Sequence, residues 1–228
     1  MKIVYLDTET TGWPWEGAEI LELAIIDSNN QTLFNERFLP IATSWPAAEK
    51  IHGISPSDVA QCQPFKSYVP ELAELLSNKK VVCYNAEFDR SALEAEFQAL
   101  KSKPVSPYLA TIDTSLPTTR WECAMLQFAP FYGNWNDYHE SYTWTSLIKA
   151  ASHCKHIWHE TPHGALADCR ATRTVWQWID RQSQIKPKLV ITRDYAKFEI
   201  DGKPIDPEQP GDGTINVISP EGWICQKD

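Results

Sequence analysis

The run Lys2-Ile3-Val4-Tyr5-Leu6-Asp7 reads as a strand, and at its end Asp7 and Glu9 are separated by a single residue. Side chains two apart on a strand share a face, so these acids form a pair of carboxylates. Facing inward, such a pair is costly unless a proton or a cation compensates it, and a hard divalent ion with oxygen ligands is the natural occupant. The same spacing on an exposed strand end is only two solvated acids. The pair restricts the fold to one that either exposes this strand end or builds a charged site around it.

The rest of the chain alternates strand and helix signals. After the turn-rich Thr10-Thr11-Gly12-Trp13-Pro14-Trp15-Glu16-Gly17, strands are expected over residues 19–26 and 32–39, completing an antiparallel meander. Residues 57–78 look helical, with Val69, Leu72, Leu75 and Leu76 at helix spacing and Pro70 limiting how early the main helix begins. A buried strand is expected at 80–84, then Asn85 as an N-cap and a helix whose stripe is Leu93, Phe97 and Leu100. Residues 108–113 repeat the strand signal. Helices are expected over 118–128, 144–152 and 165–181, the last with Leu166, Cys169, Trp176 and Ile179 inward. This is an α/β chain with a mixed sheet flanked by helices. At 228 residues and 43% hydrophobic content it has material for one substantial core plus an appendage. From residue 185 the texture changes to Pro and Gly punctuation around short β-like runs at 189–193 and 197–200, with Asp201-Gly202 as a hairpin turn. The expected division is therefore 1–184 and a β-hairpin extension with a tail, 185–228.

Asp7-Thr8-Glu9-Thr10-Thr11-Gly12 is too long a run to treat as chance, and it resembles the first motif of the DEDDh 3'-5' exonucleases, the group that includes the proofreading subunit of bacterial DNA polymerase III. The resemblance calls for two more motifs. Asn85-Ala86-Glu87-Phe88-Asp89 matches the second at a strand-to-helix junction, where a helix dipole and free N–H groups favour an acid. His163-Gly164-Ala165-Leu166-Ala167-Asp168 matches the third and opens the last long helix. Five helical residues turn through about 500°, so His163 and Asp168 cannot share a helix face and His163 must sit on the preceding loop. Glu19-Ile20-Leu21-Glu22-Leu23-Ala24 and Ile51-His52-Gly53-Ile54 are also similar to family segments. The likeness spans residues 2–182. Trp13 departs from it, because an aliphatic residue commonly follows the glycine.

The resemblance implies a ribonuclease H-like five-stranded mixed sheet and release of nucleoside 5'-monophosphates from a 3' end. It implies two divalent cations, Mg2+ or Mn2+, with Asp7 bridging both, Glu9 and Asp168 completing the first, and Asp89 holding the second directly or through water. His163 would be the general base. It also implies substrate contacts at Thr10, Gly12, Ile51, His52, Asn85 and Phe88, with Phe88 lining the pocket. Trp13 and Trp15 follow the first motif closely, where an exposed indole could stack on an unpaired base and wedge the last nucleotides apart. The Ile51-His52 segment favours single-stranded DNA or DNA 3' ends as substrate, with RNA as the alternative; discrimination would rest on contacts to the 2'-OH. A non-catalytic end-binding module is the remote alternative, which intact ligand acids disfavour.

A net charge of -9 argues against coating of long nucleic acid by phosphate neutralisation, but not against an enzyme that grips one end, where bound cations would supply local positive charge. No apolar run is long enough to span a membrane and the opening residues lack a leader pattern, so a cytoplasmic location is expected. The six cysteines form no C-x-x-C pair and are expected to be reduced thiols. His153, Cys154, His156, His159 and Cys169 are close in sequence and could suggest zinc, although no pair has finger-like spacing. Gln31-Thr32-Leu33-Phe34 faintly suggests a clamp-binding peptide but lies inside an expected strand, so it reads as core, and no protein partner is identified.

Overall fold

The structure, a computed structural model, describes residues 2–101, 119–184, 188–191, 196–200 and 203–205. Its centre is a five-stranded sheet of β1 (Lys2–Thr10), β2 (Ile20–Asp27), β3 (Thr32–Arg37), β4 (Lys79–Cys83) and β5 (Arg120–Cys123), in the order β3-β2-β1-β4-β5. The first three strands form the expected antiparallel meander, while β4 and β5 run parallel to β1. Around the sheet lie α1 (Pro46–His52), α2 (Pro56–Val59), α3 (Val69–Leu76), α4 (Ala86–Lys101), α5 (Ala124–Tyr132), α6 (Leu147–His153) and α7 (Ala165–Gln184). The α/β class with a mixed sheet is as the sequence predicts.

Strand alternation divides the core into two layers. Val4, Leu6, Val81 and Cys83 face one way, against Leu72 and Leu76 of α3 and Leu93 and Phe97 of α4. Tyr5, Ala24, Ile26 and Val82 face the other way, against Phe128 of α5, Ala150 of α6 and Cys169, Val175 and Ile179 of α7. Each large apolar side chain so enclosed contributes about 1.5–3 kcal/mol relative to leaving it in water. Trp176 and Trp178 pack against the second layer. Phe34 is buried in β3, in keeping with the reading of that segment as core.

Three expectations change. The helix expected over 57–78 is α2, a 3-10 turn at Phe65–Tyr68 and α3, because Pro64 holds extended backbone between them; Pro70 does sit in the first turn of α3. Residues 120–123 form β5 and α5 starts only at Ala124, because parallel pairing with β4 captures Arg-Trp-Glu-Cys. Trp144 lies outside α6, which starts at Leu147 behind Ser146 as N-cap. The strand expected at 108–113 falls outside the described residues. Beyond α7, β8 (Lys188–Ile191), β9 (Ala196–Ile200) and β10 (Lys203–Ile205) form a separate antiparallel sheet; the Asp201-Gly202 turn itself is outside the described residues.

Candidate active site

The end of β1 lies between the two layers and sends its side chains to both. Asp7 and Glu9 follow Tyr5 toward α7, and Thr8 follows Leu6 toward α4. Asp168, in the first turn of α7, meets the first pair: Asp7, Glu9 and Asp168 each offer a carboxylate oxygen within 4.8 Å of the others. Asp89, in the first turn of α4, is buried on the other side and accepts from the main-chain N–H and the hydroxyl of Thr8, at 2.9 Å each. Four carboxylates from three separate stretches of the sequence therefore converge on one strand end. Among the described residues, no other group of three or more His, Cys, Asp and Glu side chains gathers this closely.

Electrostatics give the cluster its character. Burial pushes Asp7 well above the usual carboxylate range, with the charges of Asp89, Asp168, Glu9 and Glu22 adding to it. Glu9 is pushed up to about 9, by burial first and then by Asp168 and Glu22. Burial raises Asp89 to about 7 against the opposing pull of the Thr8 hydrogen bonds, and Asp168 to about 6 against the hydrogen bond from the His163 main chain. Such a group of acids holds protons or binds cations. Its all-oxygen donor set, half-buried except for the buried Asp89, fits hard divalent ions.

Glu22 is a fifth acid that inspection of motifs does not single out. It stands directly opposite Glu9 in the β1–β2 pairing, on the same face. One of its oxygens accepts from the main-chain N–H of Ala165 at 3.0 Å and the other pairs with Arg37 at 3.1 Å. It thus fastens the first residue of α7 to β2 while adding negative charge beside the cluster. A β-bulge at Glu9/Thr10 then turns the strand out of register.

His163 lies outside α7, as the helix geometry requires, with an exposed side chain and a φ of 67°. That left-handed backbone is uncommon for a residue with a side chain. It lets the His163 N–H point back to Asp168 Oδ1 at 3.2 Å. The imidazole stands outside the ligand group of Asp7, Glu9 and Asp168.

The expected substrate residues divide into two sets. Trp13 and Trp15, 54% and 61% exposed, stack on one another with centroids 4.9 Å apart, and both meet Phe88 edge-on at 6.1 and 6.3 Å. Phe88 is the residue before Asp89, so this aromatic cluster borders the carboxylates. The Asn85 carbonyl accepts from the N–H groups of Phe88 and, at 3.5 Å, Asp89, which places Asn85 at the helix start. In the second set, His52 bridges two backbones: Ile54 N–H donates to Nδ1 at 3.0 Å, so the proton sits on Nε2 and is donated to the Thr10 carbonyl at 3.2 Å. Burial lowers the His52 pKa, opposed by that bond to Thr10. Ile51 beside it is 63% exposed, and Thr10 Oγ1 donates to the Gly12 carbonyl at 2.6 Å.

The histidines and cysteines considered for zinc do not converge. The His156 ring bonds the Thr174 hydroxyl at 2.8 Å, His153 packs edge-on against Phe128 and Trp178, and Cys154 and Cys169 are buried free thiols. No helix among the described residues is long and apolar enough to cross a membrane.

Comparison with known proteins bears on the family and the fold. A family model described as an exonuclease of the RNase T type matches residues 4–175. An uncharacterized exonuclease of Escherichia phage 186 is 30% identical over 171 residues, covering 74% of this chain and 83% of its own length. The DNA polymerase III epsilon subunit of Buchnera aphidicola is 29% identical over 124 residues, 50% of this chain and 53% of that subunit; the chain thus aligns with about half the length of this relative. Among solved structures, exonuclease X in complex with 5' overhanging duplex DNA superposes with a TM-score of 0.57 at 21% identity, covering 81% of this chain and 94% of that one. E. coli exonuclease I in complex with a dA16 oligonucleotide gives 0.56 at 18%, covering 79% and 42%. The chain belongs to the RNase T family of exonucleases.

Proposed function

We propose that the protein removes nucleotides one at a time from the 3' end of single-stranded DNA and releases nucleoside 5'-monophosphates. The observation that carries this reading is the convergence of Asp7, Glu9 and Asp168 within 4.8 Å, with Asp89 held alongside by Thr8. Asp7, Glu9 and Asp168 would hold one divalent cation, and Asp89 with Asp7 a second. When bound, Mg2+ or Mn2+ supplies Lewis-acid charge for the attacking and leaving oxygens of an in-line displacement.

The protein's own groups do the remaining work. His163 takes the proton of the attacking water on a ring nitrogen, and Gly164 beside it gives the loop freedom to bring the ring over the scissile phosphate. Glu22 holds the start of α7, and with it Asp168, in place. The exposed Trp13–Trp15 stack with Phe88 takes the terminal base, whose π-face any such platform accepts. His52, locked to the Thr10 carbonyl, ties Ile51 and its helix to the strand end that leads into the Gly12 turn.

Incubation of 5'-labelled single-stranded DNA with the protein and Mg2+ tests this. Products that shorten from the 3' end with release of 5'-mononucleotides are expected, with slower cleavage of RNA of the same sequence. Immediate release of the labelled nucleotide would show attack at the other end. Faster cleavage of RNA would move the assignment to an RNA-trimming enzyme.

A further inference from the structure

Between α5 and α6 the chain forms a small hairpin that the site described above does not use. Gly133, in left-handed backbone at φ 76°, ends α5, and β6 (Trp135–Asn136) pairs antiparallel with β7 (Ser141–Tyr142). The Thr143 N–H donates to the Asn134 carbonyl at 2.8 Å, and Asn136 Oδ1 accepts from the N–H groups of Tyr138 and His139 at 3.0 Å each. The backbone is ordered by its own bonds, yet aromatic rings stand in solvent: Trp135 is 49%, Trp144 63% and Tyr138 89% exposed, and Trp135 meets Tyr142 edge-to-face at 5.0 Å. Rings this size bury large areas when covered, and several exposed on one short hairpin mark a binding surface.

The foot of the hairpin is tied to the candidate active site. The Tyr84 hydroxyl, buried, donates to the Thr145 carbonyl at 2.7 Å, and the Tyr84 carbonyl accepts from Met125 at the start of α5 at 2.9 Å. Tyr84 is the residue before the Asn85–Asp89 turn, at the same end of the parallel strands β1 and β4 as Asp7 and Glu9. From residue 124 to 148 the sequence has no Lys or Arg, and the tip carries Asp137 and Glu140. The hairpin itself thus brings no lysine or arginine to neutralise phosphates, so a nucleic acid held on it is held by its bases.

Resting on the exonuclease reading, we propose that the hairpin over residues 133–145 is a second stacking platform, which holds unpaired bases 5' of the nucleotide bound at Trp13, Trp15 and Phe88. The test compares the full chain with its Trp135→Ala/Tyr138→Ala/Trp144→Ala variant on a dinucleotide and on an oligodeoxynucleotide of about 12 residues, long enough to pass beyond one such site. The KM for the longer strand should rise about 10-fold or more, since each base losing its ring costs about 5-fold at least. The dinucleotide, too short to reach the hairpin, should be cleaved equally by both proteins, which also shows that the variant is folded. An equal loss on both substrates, or no change on either, overturns the proposal; the second result would leave the rings to a protein partner. If the unaltered chain cleaves neither substrate, the exonuclease reading fails, and anisotropy titration of the labelled longer strand against both proteins still decides whether the hairpin binds bases.

Discussion

Thr8 donates both its main-chain N–H and its hydroxyl to one oxygen of Asp89, Oδ1, at 2.9 Å each. The residue between the paired acids of β1 thereby orients the acid that comes from α4. These bonds oppose the effect of burial on Asp89, whose pKa still stands at about 7. Thr8→Val keeps the shape, removes the hydroxyl donor and pushes Asp89 further up. Groups that orient a metal ligand typically contribute 10–100-fold to metal affinity or activity, so an activity loss of about 10-fold and a higher half-saturating Mn2+ concentration are expected. An unchanged Mn2+ titration would show that Thr8 does not position Asp89.

Acids with raised pKa values make the metal-free protein sensitive to alkali. In the unfolded chain Asp and Glu titrate near about 4, whereas in the fold Asp168 stands at about 6, Asp89 at about 7 and Glu9 at about 9. The folded state binds more protons throughout this window, so its stability is greatest near the unfolded values and falls as pH rises through the folded ones. In EDTA, Tm should drop steadily between about pH 5 and about pH 9. Saturating Mg2+ or Mn2+ should flatten that slope, because ions bound only by the folded state oppose the loss. A slope identical with and without metal would separate the cluster from cation binding.

Glu22 holds α7 and repels the cluster at once, and two substitutions separate these effects. Glu22→Gln retains an acceptor for the Ala165 N–H and removes a charge opposite Glu9, so the metal-free Tm at pH 8 should rise. Glu22→Ala removes the acceptor as well, at a cost of about 1–3 kcal/mol for the N–H left without its partner, and should melt below the Gln variant. Equal melting temperatures for the two variants would deny the hydrogen bond its role.

His163 combines an exposed ring with left-handed backbone, so the choice of substitution matters. Asn tolerates that backbone better than Ala, and His163→Asn should fold with an unaltered Tm. Loss of a general base should lower kcat about 100- to 10,000-fold with little effect on KM. A raised KM at normal kcat would make His163 a substrate contact instead.

For Trp13 and Trp15, single Ala substitutions should weaken binding of single-stranded oligonucleotides about 5- to 150-fold, the range set by loss of stacking on one base. Full affinity in both variants would leave the indoles as packing for Phe88.

Much of the site is legible because its chemistry is written in short runs. Asp7 and Glu9 share a face by strand alternation, Asp89 follows a helix start, and the five-residue step from His163 to Asp168 forces the histidine onto a loop. What escapes local reading is set by partners distant in sequence. Arg120–Cys123 looks like the start of a helix until β4 pairs with it, from Lys80–Arg120 to Cys83–Cys123. Glu22 looks like any strand acid until Glu9 lies across from it and Ala165 reaches it from 143 residues away. Thr8 belongs to the first motif, but its function appears only when α4 is packed beside it. The hairpin at 135–142 is too short for its alternation to be recognised.

In the proposed function this strand end hydrolyses phosphodiester bonds, and Asp7 is the acid on which the cluster converges. The most direct measurement is the release of 5'-mononucleotides from single-stranded DNA by Asp7→Asn protein, with Mg2+ or Mn2+, against the unaltered chain. Release by the unaltered chain and loss of at least about 10,000-fold in the variant are expected, the scale seen when an essential catalytic group is removed. Mononucleotide release by folded Asp7→Asn protein at the unaltered rate would show that the carboxylate cluster is not the catalytic centre.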